Sequence, residues 1–307
     1  MAAVIEIEGL VKRYGRKLAV DGISFSVDQG ETFGYLGPNG AGKTTTIRCL
    51  LGLIRPTAGR VRVLGHPIER ELAAALSEVG HLPGEFGLWP QMSGRECLDY
   101  LGRLHPRPPS RQKELCERFE LTGEDLDRHV REYSRGMKQK VGIVQAFQHW
   151  PPLVVRDEPT EGLDPVMKER FVELLAEHRK GGGANFLSSH ILSEVEQATE
   201  RVGVLRAGRL IRIGPTHDLT GDRVRHCSLR LKDGADPTAA LMAAGASNVA
   251  RDGDRWLFDV QGDMEPLMRA LGDMPVLEFL SEPERLEEAF FDVYGAAAPG
   301  PLTGTGS

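Results

Sequence analysis

Over residues 1–220, short apolar or β-branched runs alternate with stretches whose apolar residues recur at helical spacing. The runs at 4–8, 24–27, 32–36, 60–64, 153–157, 184–188 and 201–205 predict strands. The stretches at 43–53, 94–104, 111–119, 135–150, 165–179 and 191–199 predict helices. Strand and helix in alternation is the pattern of an α/β domain. Residues 93–150 read as helical throughout, a subdomain set against the sheet, and Ala207-Gly208 reads as a hairpin turn. Beyond residue 221 the pattern changes. HCSLRLKD, RWLFDVQGD and VLEFL alternate like half-buried strands, with helical PTAALMAAGA and MEPLMRALG between them. That predicts a second, smaller α+β domain over 221–295 with a β-α-β-β-α-β, ferredoxin-like order. The closing AAAPGPLTGTGS, 296–307, is too poor in apolar surface to order itself and predicts a disordered tail.

Composition narrows the class. Of 307 residues, 40% are hydrophobic and 27% charged, with a formal charge of −6, so no basic field points to nucleic acid. Basic residues do gather over 103–113, where prolines make a solvated loop the expectation. No apolar run approaches the roughly 18 residues of a membrane span, and the start MAAVIEIEGL lacks the features of a signal peptide. A cytoplasmic location is therefore expected. Cys49, Cys97, Cys116 and Cys227 are scattered without ligand spacing, which predicts buried thiols.

Chemistry concentrates in two places. Gly37-Pro38-Asn39-Gly40-Ala41-Gly42-Lys43-Thr44 follows a predicted strand, opens a predicted helix and matches G-x-x-x-x-G-K-[ST]. Glycines let backbone N–H groups converge on phosphate oxygens, and the helix N-terminus adds positive potential. Lys43 suits the β- and γ-phosphates; Thr44, followed by Thr45, suits Mg²⁺. The second place is the apolar run 153–155 followed by Arg156, Asp157 and Glu158. Ligands of open α/β sheets sit at carboxyl ends of strands. There, Asp157 fits a metal shell and Glu158 fits orientation of an attacking water.

Together these residues resemble the nucleotide-binding domain of ABC transporters, over residues 3–220. Tyr133-Ser134-Arg135-Gly136-Met137-Lys138-Gln139 resembles the family signature, in the form used by drug-exporter, daunorubicin-resistance-like ATPases. Gly162-Leu163-Asp164-Pro165 matches the D-loop and Ser188-Ser189-His190 the switch histidine. Tyr14, in KRYG, falls where the family sets an aromatic ring against adenine. Alone, Ser134 would read as a helix cap, Tyr14 as core and His190 as a solvated loop residue. The resemblance implies a P-loop NTPase fold, a mixed sheet core plus helical subdomain, that hydrolyses ATP with Mg²⁺. It further implies Glu158, His190 and Lys43 in catalysis, and Thr44 and Asp157 at the metal. Ser134, Gly136 and Asp164 would face nucleotide held by a second subunit, a homodimer or a similar chain in head-to-tail arrangement. The partner it implies is a separately encoded membrane permease, at the cytoplasmic face of a bacterial membrane. Export of a drug, antibiotic or lipid-like compound is the leading expectation. A soluble ATPase acting on DNA or ribosomes is the alternative, disfavoured because its long coiled coils or tandem domains are missing. A regulatory module that binds ATP without hydrolysis is disfavoured by the complete catalytic set.

Four positions depart from the family: in the signature, Tyr133 and Arg135 stand where Leu and Gly are usual, with Ser134 and Gly136 kept. Gly84 stands where a glutamine usually meets the metal, leaving Glu85 as a candidate substitute. Arg156 replaces an apolar residue, and a guanidinium there is costly unless it pairs with an acid or reaches water. Residues 281–295 resemble the closing segment of drug-exporter ATPases and carry no catalytic constellation, leaving dimer support or passive packing open.

Overall fold

The computed structural model describes residues 3–84, 87–158, 162–216, 224–232 and 236–283. Its contacts divide the chain into two units, Met1–Pro215 and Thr216–Ser307.

The first unit is built on two sheets. β1 (Ala3–Tyr14), β2 (Lys17–Asp28), β4 (Ala58–Val63) and β5 (His66–Pro67) form an antiparallel sheet ordered β2-β1-β4-β5. The other sheet is six-stranded: β3 (Thr32–Leu36), β6 (Val79–Leu82), β7 (Leu153–Asp157), β8 (Ala184–Ser189), β9 (Arg201–Arg206) and β10 (Arg209–Pro215). Its order is β10-β9-β3-β8-β7-β6, parallel except for the β9–β10 hairpin. That hairpin turns at Ala207 and Gly208, both at positive φ, as a two-residue type I′ connection requires. β3, β7 and β8 are buried at every position, which suits strands covered on both faces. Phe25, Phe33 and Phe186 stack between the sheets with ring centroids 5.3–6.0 Å apart. Ile47, Cys49 and Leu50 of α1 (Lys43–Leu50) join the same core.

The predicted elements recur with changed ends. α1 stops at Leu50 rather than running to 53, because Gly52 adopts φ 63°. β1 and β2 extend well beyond their apolar stretches, since cross-strand hydrogen bonds carry a hairpin past its buried part. The short β5, β6 and α2 (Leu72–Leu76) were not among the predicted elements.

Residues 93–150 are not helical throughout. They hold α3 (Gly94–Leu104), α4 (Gln112–Arg118), α5 (Gly123–Asp127), a 3₁₀ turn at Val130–Glu132, and α6 (Arg135–Phe147). Pro106, Pro108 and Pro109 hold the α3–α4 connection out of helix. Capping boxes, Ser93 with Glu96 and Thr122 with Asp125, set where α3 and α5 begin. The basic run at 103–113 is only partly solvated. Arg111 stacks 3.9 Å from the Trp150 ring centroid and pairs with Glu177 of α7 (Pro165–Lys180) at 2.5 Å. α8 (Leu192–Ala198) follows β8.

In the second unit, β11 (Val224–Leu231), α9 (Thr238–Ala243), β12 (Ala246–Asp252), β13 (Arg255–Gln261), α10 (Glu265–Gly272) and β14 (Val276–Pro283) run β-α-β-β-α-β. The antiparallel sheet is ordered β12-β13-β11-β14. Leu229, Trp256 and Phe258 of the sheet pack with Leu241 of α9 and Leu267 of α10. All four cysteines are free and buried. The predicted tail, Glu85 and most of the 281–295 segment lie outside the described residues.

Candidate nucleotide site

β3 ends at Leu36 and α1 begins at Lys43, so residues 37–42 turn a strand directly into a helix. Two glycines are forced by geometry. Gly42 has φ 114°, and a Cβ there would lie 2.5 Å from the Ala19 carbonyl oxygen. A Cβ on Gly37 would lie 2.4 Å from the Leu205 carbonyl oxygen. The loop is therefore pressed against β2 and β9, leaving its other side toward solvent. The Thr46 hydroxyl, 3.1 Å from the Gly42 carbonyl and 3.2 Å from the Tyr35 hydroxyl, anchors the start of α1.

A groove of about 450 Å³ lies over this loop. Pro38, Asn39, Gly40, Gly42, Lys43, Thr44 and Thr45 form its floor, with Tyr14, Lys17 and Ala19 from the β1–β2 hairpin at one side and Glu158 and His190 at the other. Gly37 and Ala41 lie outside that lining. Ala41 is buried, and the Gly37 carbonyl accepts a hydrogen bond from Lys43 Nζ at 2.6 Å. Lys43 Nζ also stands 3.3 Å from Glu158 Oε1. The other Glu158 oxygen, Oε2, is hydrogen-bonded to His190 Nδ1. A lysine, a carboxylate and an imidazole thus form one connected set across the groove. Glu158 follows β7 with φ 53°, an unusual backbone for a side chain with a Cβ, while its N–H donates to the Ser188 carbonyl at 3.2 Å. Such positions concentrate where a side chain must be aimed. Tyr14 is half exposed at the end of β1, with Lys12 Nζ 5.1 Å from its ring centroid.

A second cavity, of about 630 Å³, shares Thr44 and Glu158 with the groove. Asp157, His81 and Gly84 also line it. Asp157 Oδ1 accepts a hydrogen bond from the Ser188 hydroxyl at 2.5 Å, which fixes the carboxylate. The Thr44 hydroxyl and Asp157 carboxylate are hard oxygen donors on one cavity, a donor set that fits Mg²⁺. Burial pushes the His81 imidazole down to about 4, against the upward pull of the Asp157 charge.

Ser134, Gly136 and Asp164 do not line either cavity. Ser134 caps α6 through Met137 N–H at 3.2 Å, and Asp164 caps α7 through Met167 N–H at 3.0 Å. The two helix starts meet, since a Cβ on Gly136 would lie 2.8 Å from the Gly162 carbonyl oxygen. Both N-termini carry the positive ends of their helix dipoles.

Among the described residues Arg156 pairs with no acid, and its side chain is shut off from water. Its side chain is fully buried, and no described residue accepts a hydrogen bond from Nε, Nη1 or Nη2. Instead it lies 4.6 Å from the Phe171 ring centroid and 5.6 Å from that of Phe147. Burial alone pushes the guanidinium down to about 9.

Lys17 and Ala19 line the groove and His81 the second cavity, and motif reading missed all three. Lys17 and Ala19 belong to the hairpin behind Tyr14, and only the spacing of KRYGRKLAV hints at a turn there. His81 sits where no phosphate motif extends.

The geometry agrees with relatives found independently. Residues 20–161 match the family model described as ABC transporter. A Nod factor export ATP-binding protein I from Burkholderia orbicola (strain AU 1054) is 36% identical over 302 residues, covering 95% of this chain and 97% of that protein. Daunorubicin resistance ATP-binding protein DrrA3 of Streptomyces coeruleorubidus is 37% identical over 263 residues, 83% of this chain and 82% of that one. Among solved structures, an ATP-binding subunit of an ABC transporter superposes with a TM-score of 0.66 at 29% identity, over 71% of this chain and 92% of its own. Ordered motifs, a phosphate loop wedged between strand and helix, and near full-length relatives converge: the chain belongs to the ABC transporter family and is an ATP-binding, ATP-hydrolysing subunit of it.

Proposed function

We propose that this chain drives export of a drug, antibiotic or lipid-like compound through a separate membrane permease, by binding and hydrolysing ATP at the Lys43–Glu158 groove. The observation that carries the chemistry is the joining of Lys43, Glu158 and His190 on one groove above the phosphate loop. Tyr14 stacks the adenine at the hairpin side, since a base offers a π-face to any aromatic ring. Backbone N–H groups over 38–45 and the α1 N-terminus hold the phosphates. Lys43 moves from the Gly37 carbonyl and Glu158 onto the β- and γ-phosphates. Thr44 and Asp157 would hold Mg²⁺, which would neutralise charge on the phosphate oxygens. Glu158, released from Lys43, orients a water against the γ-phosphorus. As the new P–O bond forms, the bond to the β-phosphate bridging oxygen breaks, and the water's proton passes to the Glu158 carboxylate. His190, already bonded to Glu158, contacts the γ-phosphate and responds to its loss.

Ser134, Gly136 and Asp164 act on nucleotide held by a second copy or a similar chain. Their absence from the lining of this chain's own groove supports that reading, as does the close approach of the two helix starts. ATP then joins two subunits, and hydrolysis releases them through loss of contacts made only to the triphosphate. Among the described residues no helix is long and apolar enough to cross a membrane; the proposed place is peripheral, on the cytoplasmic face, where ATP is available to the groove. The export assignment rests on relatives named for Nod factor export and daunorubicin resistance. The reading assigns 1–220 to the ATPase domain and 221–295 to an accessory domain.

The test is to tag Glu158→Gln in the native host, solubilise membranes gently in ATP and Mg²⁺, and identify what co-purifies. An integral membrane protein in stoichiometric amount supports transport. Recovery only in the soluble fraction, with ribosomes or DNA, overturns it while leaving the ATPase standing.

A further inference from the structure

β6 and β7 run parallel, with His81 opposite Val155 and Leu82 opposite Arg156. Side chains alternate between faces along a strand, so His81 shares the face of Val155 and, two residues on, of Asp157. That face looks onto α1, and His81 lines the same cavity as Thr44, Asp157 and Glu158. Gly84 lines it too but brings no side chain, and a Cβ added there would already stand 3.2 Å from the Asp157 carbonyl oxygen. The tight approach of Gly84 to β7 leaves that position without a polar group, and His81, three residues earlier, brings an imidazole to a wall it shares with Pro83, Arg48 and Arg135.

We propose that His81 is a polar ligand-shell residue of the site, its imidazole hydrogen-bonding the water shell of the metal that Thr44 and Asp157 hold. The assignment rests on the metal-binding reading of those two residues. An imidazole supplies one N–H donor and one nitrogen acceptor, so it can orient a bound water in either sense. Groups that touch a metal through its outer shell fix the ligands and strengthen binding. His81 does so from a strand rather than from the loop that follows, which ties the metal shell directly to the sheet that carries Asp157.

The experiment compares His81→Ala, His81→Gln and His81→Phe, each in the Glu158→Gln chain so that ATP is bound and not consumed. ATP affinity is measured by calorimetry in excess Mg²⁺ and again in EDTA, and bound Mn²⁺ is followed by its paramagnetic resonance signal. The expected result is a loss of metal affinity of about tenfold or more in His81→Ala and His81→Phe. Gln retains most of it, and ATP affinity in EDTA is unchanged in all three. Equal metal affinity in parent and His81→Ala overturns the proposal, as does full rescue by Phe, which would make His81 a packing residue. A Glu158→Gln parent whose ATP affinity is the same with and without Mg²⁺ would instead overturn the Thr44–Asp157 metal reading itself.

Discussion

Replacing Arg156 by methionine should make the protein more stable. The guanidinium lies wholly inside the first unit, between β7 and the aromatic rings of α6 and α7, with no acceptor among the described residues. Burial pushes it well below the ordinary guanidinium range, to about 9, which corresponds to roughly 5 kcal/mol against the charged form. The Phe171 and Phe147 faces offset part of this, about 2 kcal/mol for a desolvated cation over a ring. A net gain of about 2–3 kcal/mol for an unbranched apolar side chain of similar length follows. It lies within the roughly 1–4 kcal/mol seen when buried charges give way to well-packed apolar groups. For a domain of this size that is a rise of about 4–12 °C in Tm. Because burial lowers the folded-state value, the penalty is full below about 9 and fades as pH climbs above it. Thermal unfolding of Arg156→Met and the parent at pH 7.5, followed by circular dichroism, reads the difference. A Tm below that of the parent would refute the reasoning and mean that the guanidinium is held by acceptors.

Two further substitutions test other parts of the account. Gly42→Ala puts a Cβ against the Ala19 carbonyl at a φ of 114°, so ATP binding should fall at least a hundredfold while the circular dichroism spectrum is kept; fluorescent-nucleotide titration measures it. His178, fully buried with Nε2 2.7 Å from the Pro151 carbonyl and Nδ1 3.0 Å from Asn185, is pushed down chiefly by burial. The unfolded chain therefore takes up that proton first, and stability present at neutral pH is lost as pH falls below about 6.5. His178→Gln should flatten the fall of Tm with pH between pH 7 and pH 5; an unchanged slope would place the titration elsewhere.

What could be read from sequence divides along physical lines. The phosphate loop was legible because cradling an anion demands particular residue types at consecutive positions, and the structure sets Lys43, Thr44, Glu158 and His190 around one groove. β3, β7 and α3 were legible to the residue, since continuous burial spans the two strands and a capping box marks the start of α3. β12 was not marked by its sequence, because only Ala246 of its seven residues is buried and no alternation shows. The ends of β1 and β2 were hidden for a related reason, being held by hydrogen bonds rather than by apolar contacts. His81 escaped notice because its place depends on the register of β6 with β7, a pairing between residues more than seventy positions apart. Arg156 stood out in the sequence, yet its surroundings did not: the rings that receive it come from two separate helices.

The central claim is that Glu158 activates the water that cleaves ATP held at this groove. The direct measurement is phosphate release by purified Glu158→Gln beside its parent, with the mass of each in ATP read by light scattering. The account predicts turnover lowered by about a thousandfold or more, nucleotide binding retained, and a dimer that persists in ATP. Turnover close to that of the parent, with no ATP-dependent dimer, would contradict it.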